Sequence, residues 1–461
     1  MKLAAAVGLL LLTGGLALAA GLTPDPGEEH PGGNATSSSK LRDRSAFSHP
    51  SGNLSFERQL DFKVGDGIFR KLWVSSPSST KSSDGLGPLF SARSCQSCHL
   101  KDGRGRPPAK GETAVSMVLK LSLPDGATDP MYGGQLQTAA IQGHVPEGQI
   151  DIAYHENAVT LADGRHVKLR SPSYSIRDLG YGPLQSDLRL SPRIAPPMIG
   201  MGLLELIPEA DILARADPDD RDGDKIRGIA RHVWSRAEDR QMLGRFGWKA
   251  GAATVADQVS NAFSNDMGLS SPLSKTPAGD CSDAQTTCRA APTGDDNAEG
   301  VEVPAKMFDL TVFYARHLGV PERPAAADAS ALQGKRVFTA AGCAACHTPR
   351  HLTGSHPDRP ELSGQTIFPY TDLLVHDMGD GLADGRPEGE ASGRHWRTAP
   401  LWGLGLTATV SGHTLFLHDG RARNILEAIL WHGGEAETAR NRVIVLPAGE
   451  RKALLAFLGS L

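Results

Sequence analysis

Several things are missing from this sequence, and each absence closes a possibility. No excess of one charge exists: 48 Lys and Arg meet 52 Asp and Glu, a formal net charge of −4. Nucleic-acid binding, which wants a strongly basic face, is not indicated. Beyond the first twenty residues no segment approaches ~18 uninterrupted apolar residues, so no membrane-spanning helix is expected in the mature protein. Cysteine is scarce, with six in 461 residues. No further Cys or His pairs stand at finger or ribbon spacing, as structural zinc would require.

What cysteine there is falls into a pattern. "SARSCQSCHLKDGRGRPP" (91–108) holds Cys95, Cys98 and His99, and "GCAACHTPR" (342–350) repeats it with Cys343, Cys346 and His347. A thioredoxin-like redox pair would not need the histidine and would sit in a βαβ pattern. In an exported protein, the pattern C-x-x-C-H reads as covalent heme attachment. Two thiols bond the two vinyl groups on one edge of the porphyrin, and the adjoining His becomes the proximal iron ligand. Cofactor-binding residues are therefore expected at Cys95, Cys98, His99, Cys343, Cys346 and His347, for two covalently bound hemes c. A backbone carbonyl at the turn after His347 is expected to accept the imidazole N–H and fix its tautomer. The remaining pair, Cys281 and Cys288, lies in the polar stretch "GDCSDAQTTCRAAP". In an oxidising compartment a local disulfide is the default, with free or metal-binding thiols as the other reading.

Export is itself legible. "MKLAAAVGLLLLTGGLALAA" has one Lys, a short Gly-interrupted apolar run and a small-residue end. It reads as a signal peptide over 1–20, cut near Ala19 or Ala20, rather than a membrane anchor. The periplasm is the expected location. Residues 21–45, rich in Gly, Ser, Asp and Pro, read as a flexible linker.

Two heme segments follow one plan. "DASALQGKRVFTAAGCAACHTP" is an amphipathic helix running into the second attachment turn. "PAKMFDLTVFYARHLGVPERP" and "LPAGERKALLAFLGSL" carry apolar residues at helical spacing and read as closing helices. "SPRIAPPMIGMGLLELIPEADI" resembles "HWRTAPLWGLGLTATVSGHT", an internal repeat. In the first half, "QIDIAYHENAVTLADGRHVKLRSPSYSI" alternates about an Asp-Gly turn and reads as a β-hairpin. "AVSMVLKLSLPDG" is a further strand candidate. The expected fold is mainly α: two cytochrome c-like heme domains, 46–322 and 326–461, the first enlarged by the hairpin, strands and long loops.

Taken in order, "DGLGPLFSARSCQSCHLKDGRGRPP", "GCAACHTPR", "FPYTDLLVHDMGDGLADG", "HWRTAPLWGLGL" and "LFLHDGRARNILEAILWHGGEA" resemble the bacterial di-heme cytochrome c peroxidase superfamily, in its di-heme oxidoreductase branch, over roughly residues 50–461. In that family an aromatic-x-His-[Asp/Ser]-Gly turn precedes a helix bearing the distal ligand of the second heme, usually Met. Here the turn is Phe416–Gly420 and the helix carries His432, a departure that implies a lower potential. Met378 is the alternative ligand. For the first heme the resemblance offers Met267, then Met198 or Met201, or an open side. Core packing is the ordinary role of any such Met.

The resemblance further implies peroxidase-like reduction of H₂O₂ or a related oxidant, with electrons from a small cytochrome c or cupredoxin. Glu435 is a candidate acid/base group. A plain electron carrier, and an oxidase acting on a partner protein or organic substrate, are the other readings. Because the resembling peroxidases use calcium, Asp220, Asp222 and Asp224 in "DPDDRDGDKIRG" are a candidate Ca²⁺ loop, with a solvated acidic turn as the alternative. His376 and His418 are expected to hold loops by hydrogen bonds, and Trp73, Trp396 and Trp402 to pack in the core.

Overall fold

The computed structural model describes residues 23–461, and the expected signal peptide lies outside them. The fold is not mainly α, as expected from the sequence. It is 30% helix and 17% strand. With 52 Gly and 31 Pro the backbone is cut into short helices, and among the described residues its strands pair only in two-stranded ladders. The longest ladder is the hairpin Gln149–Thr160 with His166–Arg177. His232–Ser235 with Arg240–Leu243 is a second hairpin, whereas Met117–Ser122 with Arg189–Ile194 joins segments far apart in sequence.

Helices matter at two crossings that share one design. Helix Phe56–Arg70 starts at Ser55, whose side chain accepts the Arg58 N–H, and packs on Ala305–Arg316. They touch at Gly65, where an added Cβ would overlap the Leu310 carbonyl and sit 2.7 Å from Tyr314 Cβ. Helix Ala329–Ala341 crosses the C-terminal helix Ala448–Ser460 at Gly334. There an added Cβ would overlap the Ala453 carbonyl and sit 2.6 Å from Phe457 Cβ. Only glycine lets the backbones approach so closely. Four residues past each glycine an aromatic ring, Phe69 or Phe338, lies 6.4 Å from the imidazole of His99 or His347.

A second device is also duplicated. Phe246 bridges Ala252, and Phe416 bridges Ala422, in turns that use positive φ at Gly247 and Ala250 and at Leu417 and Gly420. Each turn delivers a capped helix. Thr254 accepts the Asp257 N–H to start Val255–Met267, and Asn424 accepts the Glu427 N–H to start Ile425–Leu430. Counting from the phenylalanines, Trp248 corresponds to His418 and Ala262 to His432.

Most of the apolar core is continuous across both halves, from Phe47 and Trp73 to Trp402 and Val410. The stretch expected as a linker is fastened to this body. Glu28, 1% exposed, pairs with Arg323 and with Lys335 and accepts the Tyr370 hydroxyl.

Candidate functional site

Both C-x-x-C-H turns present their imidazoles in the same way. His99 donates its Nδ1–H to the Pro196 carbonyl at 2.9 Å, and His347 donates its own to the Tyr370 carbonyl at 2.9 Å. The His347 bond leaves its Nε2 free, while the His99 ring has a second backbone partner in Gly103. Burial pushes both imidazoles down to about 4, so both are neutral and able to bind a metal. Burial also pushes the Cys95 and Cys343 thiols up to about 12. Neutral thiols of this kind are unlike the low-pKa thiolate of a redox C-x-x-C pair. All six residues are nonetheless partly accessible, and those of the second turn face internal space.

Around Cys343, Cys346 and His347 this space is a cavity of about 400 Å³. Helix Ile425–Leu430 brings His432 to its wall, and His432 donates Nδ1–H to the Ala428 carbonyl at 2.7 Å. That bond is the i−4 contact of a helix C-terminus, and it too leaves Nε2 unengaged. His347 and His432 line the same cavity, and His432 is close enough to depress the protonation of His347. Met378 lines the cavity as well. Trp248, Trp396, His418, Arg104 and Arg397 close the side facing the first half.

His418 makes no hydrogen bond through Nε2. Its ring stacks on Trp396, 3.8 Å between centroids and 10° between planes. The expectation that it holds a loop by hydrogen bonds gives way to an aromatic stack. Arg104 likewise keeps an unpartnered Nε, and burial pushes the Arg104 and Arg397 guanidinium groups down to about 10. Orphaned buried donors beside neutral imidazoles suit a large planar ligand bearing iron and carboxylates. Sequence reading passed over Arg104, although it sits in the quoted "DGRGRPP".

His376 does hold structure by hydrogen bonds. Its Nε2 meets Asp372 at 3.0 Å and its Nδ1 meets Glu435 at 2.6 Å, with the Cys346 sulfur 3.7 Å away. Burial favours the neutral ring, but the two carboxylates outweigh it and hold the imidazole protonated. Glu435 is fully engaged. It accepts His376 Nδ1–H, the Arg227 and Gly228 N–H groups, and the Asp377 N–H. Burial raises its pKa, but these donors more than offset that and leave it lowered.

At the first turn, Met267 is 2% exposed and packs on the core face of its helix with Phe263 and Val259. Met198 and Met201 also pack against that core. Trp73 and Trp402 are buried in it. Asp220, Asp222 and Asp224 bring carboxylate oxygens within 4.8 Å of one another on an exposed loop. All three accept N–H groups of their own turn, from Lys225, Asp224 and Ile226. Cys281 and Cys288 form a disulfide, with Cα atoms 6.1 Å apart. No helix among the described residues is long and apolar enough to cross a membrane.

Two enclosed imidazoles, each beside a buried cysteine pair, mark a redox protein with two iron–porphyrin centres. Residues 27–122 and 120–461 match the family described as "Di-haem oxidoreductase, putative peroxidase", and the protein belongs to that family. The family implies two heme groups. No curated protein matches the sequence. Among solved structures, a chain of hydrazine synthase from Kuenenia stuttgartiensis, pressurized with 20 bar xenon, aligns over 90% of this sequence and 94% of its own. It is 12% identical with a TM-score of 0.32, a likeness too distant to bear on fold or function.

Proposed function

We propose that this protein is an exported c-type di-heme oxidoreductase that reduces hydrogen peroxide or a related small oxidant. Cys95 and Cys98 hold one heme and Cys343 and Cys346 the other, with His99 and His347 as axial ligands. His432 supplies the second axial ligand of the second heme. The electrons come from a small periplasmic cytochrome c or cupredoxin. Consuming one H₂O₂ takes two electrons and two protons and yields two waters. When bound, the hemes supply the electron storage and the oxidant-binding iron. The protein fixes imidazole tautomers, supplies buried cations for the heme carboxylates through Arg104 and Arg397, and excludes bulk water. Export agrees with the C-x-x-C-H chemistry and with the Cys281–Cys288 disulfide, both of which belong to an oxidising compartment.

One observation carries the reading: the unequal helices of the duplicated turn. Where the second half sets His432, the first sets Ala262, which has no donor atom. One iron is thereby closed by two imidazoles and the other left accessible, a division a pure electron carrier does not need. Oxidised and half-reduced EPR and optical spectra test it, alongside turnover of H₂O₂ with reduced cytochrome c. One low-spin and one ligand-accepting heme are expected, with turnover. Two low-spin hemes that bind no external ligand, and no turnover, would make the protein an electron carrier.

A further inference from the structure

Helix Val255–Met267 has two faces. Val259, Phe263 and Met267 are buried in the core, whereas Ala262 and Asp266, one helical turn apart, are partly accessible. Asp266 lies beside the first cysteine turn: its backbone carbonyl accepts the Ser91 N–H at 2.8 Å and the Ala92 N–H at 3.0 Å, and its charge is felt by both the Cys95 and Cys98 thiols. Its placement is enforced. Gln135 donates Nε2–H to Asp266 Oδ1 at 2.9 Å, and Gln137 donates to the Asn265 carbonyl at 2.7 Å. Burial raises the Asp266 carboxyl, and the facing Lys120 opposes that rise.

Lys120 comes from strand Met117–Ser122 and forms an antiparallel bridge with Gln135. Residues so paired project from the same face of a sheet, so the lysine side chain leaves toward the carboxylate that Gln135 grips. Its ammonium is attracted by Asp266 yet makes no hydrogen bond to it. Lys120 is half-buried, and burial lowers its pKa. A cation and a carboxylate therefore stand near each other without a hydrogen bond between them, one turn from the alanine that stands in place of His432.

Resting on the function proposed above, we infer that Lys120 and Asp266 form the hydrogen-bonding pair for a small oxygen ligand on the open side of the first heme. The ammonium donates to the ligand's oxygen, and the free Asp266 oxygen accepts its O–H. Gln135 is a positioning residue for Asp266. Fluoride and carbon monoxide, added to the purified full-length protein, probe the pair without turnover. Lys120→Met should weaken fluoride binding about tenfold or more, the loss of one hydrogen bond to a charged donor. Asp266→Asn should strengthen it by removing a like charge. Both substitutions should move the C–O stretching band of the reduced protein, and Lys120→Arg should restore most of the fluoride affinity. Fluoride affinity and C–O frequency equal to the parent in both Lys120→Met and Asp266→Asn would overturn the inference while leaving the open side intact. A parent protein that binds neither probe would instead remove the open side itself. Should Lys120→Met fail to hold heme, Asp266→Asn alone decides by the same criteria.

Discussion

Replacing Glu435 by Gln separates two roles for one carboxylate. As an acid/base group, Glu435 would need a proton to give and a free oxygen to give it from. The structure instead spends both oxygens on four donors: His376 at 2.6 Å, Arg227 N–H at 3.0 Å, Gly228 N–H at 3.2 Å and Asp377 N–H at 3.0 Å. Its side chain is only 7% exposed. An amide of the same shape keeps one acceptor oxygen and turns the other into an NH₂ group facing N–H donors. The His376 imidazolium also loses one of its two counter-charges. Breaking a buried, hydrogen-bonded charge pair from one side costs about 3–5 kcal/mol. The loss is local, because these bonds knit residues 227–228 and 376–377 to the turn that follows His432. Hydrogen exchange read by mass spectrometry should show segments 226–229 and 375–378 opening at least about a hundredfold more often. Unchanged exchange in those segments, with loss of peroxide turnover alone, would refute the structural role and make Glu435 a proton donor.

Glu147 gives a pH signature. Burial pushes its carboxyl up from 4.5 to about 8, against the pull of the Gln137 N–H and the Gln285 amide. A raised native pKa means stability is full below about 4.5 and declines as pH rises toward 8. Glu147→Gln should flatten the decline in Tm between those values, and parallel Tm–pH curves for parent and variant would exclude Glu147 as its source. Gly65→Ala and Gly334→Ala should each cost about 3 kcal/mol or more in chemical denaturation, because the new methyl overlaps a crossing helix. Gly67→Ala, with nothing within 4 Å of the new methyl, should instead stabilise slightly. His432→Ala should convert the second heme from low spin to a form that binds external imidazole; an unchanged EPR spectrum would turn attention to Met378.

The parts legible in the sequence were those whose signals are local. The C-x-x-C-H turns, the closing helices Ala305–Arg316 and Ala448–Ser460, and the hairpin turning at Asp163-Gly164 all announce themselves within a few residues. Much of the other strand content did not: Met117–Ser122 falls in a stretch that reads as a strand, but its partner Arg189–Ile194, some seventy residues on, carries no signal of its own. The repeat was seen at "APPMIGMGL" and "APLWGLGL", but insertions shift the two copies by different amounts along the sequence. Only the matched bridges Phe246–Ala252 and Phe416–Ala422 fix which residue stands opposite His432. Without that register Met267 looks like a ligand. With it, Met267 is core, and Ala262 takes the place of His432, one turn from Asp266. Arg104 and Lys120 were invisible for a related reason: a lone cation in sequence says nothing of whether its neighbours in space will neutralise it.

The hairpin Gln149–Thr160/His166–Arg177 belongs by sequence to the first half, yet it grips the second. Its Leu161 and Leu169 cover Leu426 and Leu430, Arg170 donates to the Gly420 and Arg421 carbonyls, and Tyr174 bonds Asp419 at 2.8 Å. At its tip Asp163 pairs with Arg451 of the last helix. A duplicated unit can ordinarily be shuffled, trimmed or borrowed by another gene. This copy has given its sibling a splint, and the sibling's distal helix would stand bare without it. Parted from this hairpin, helix Ile425–Leu430 would lose the cover of Leu161 and Leu169.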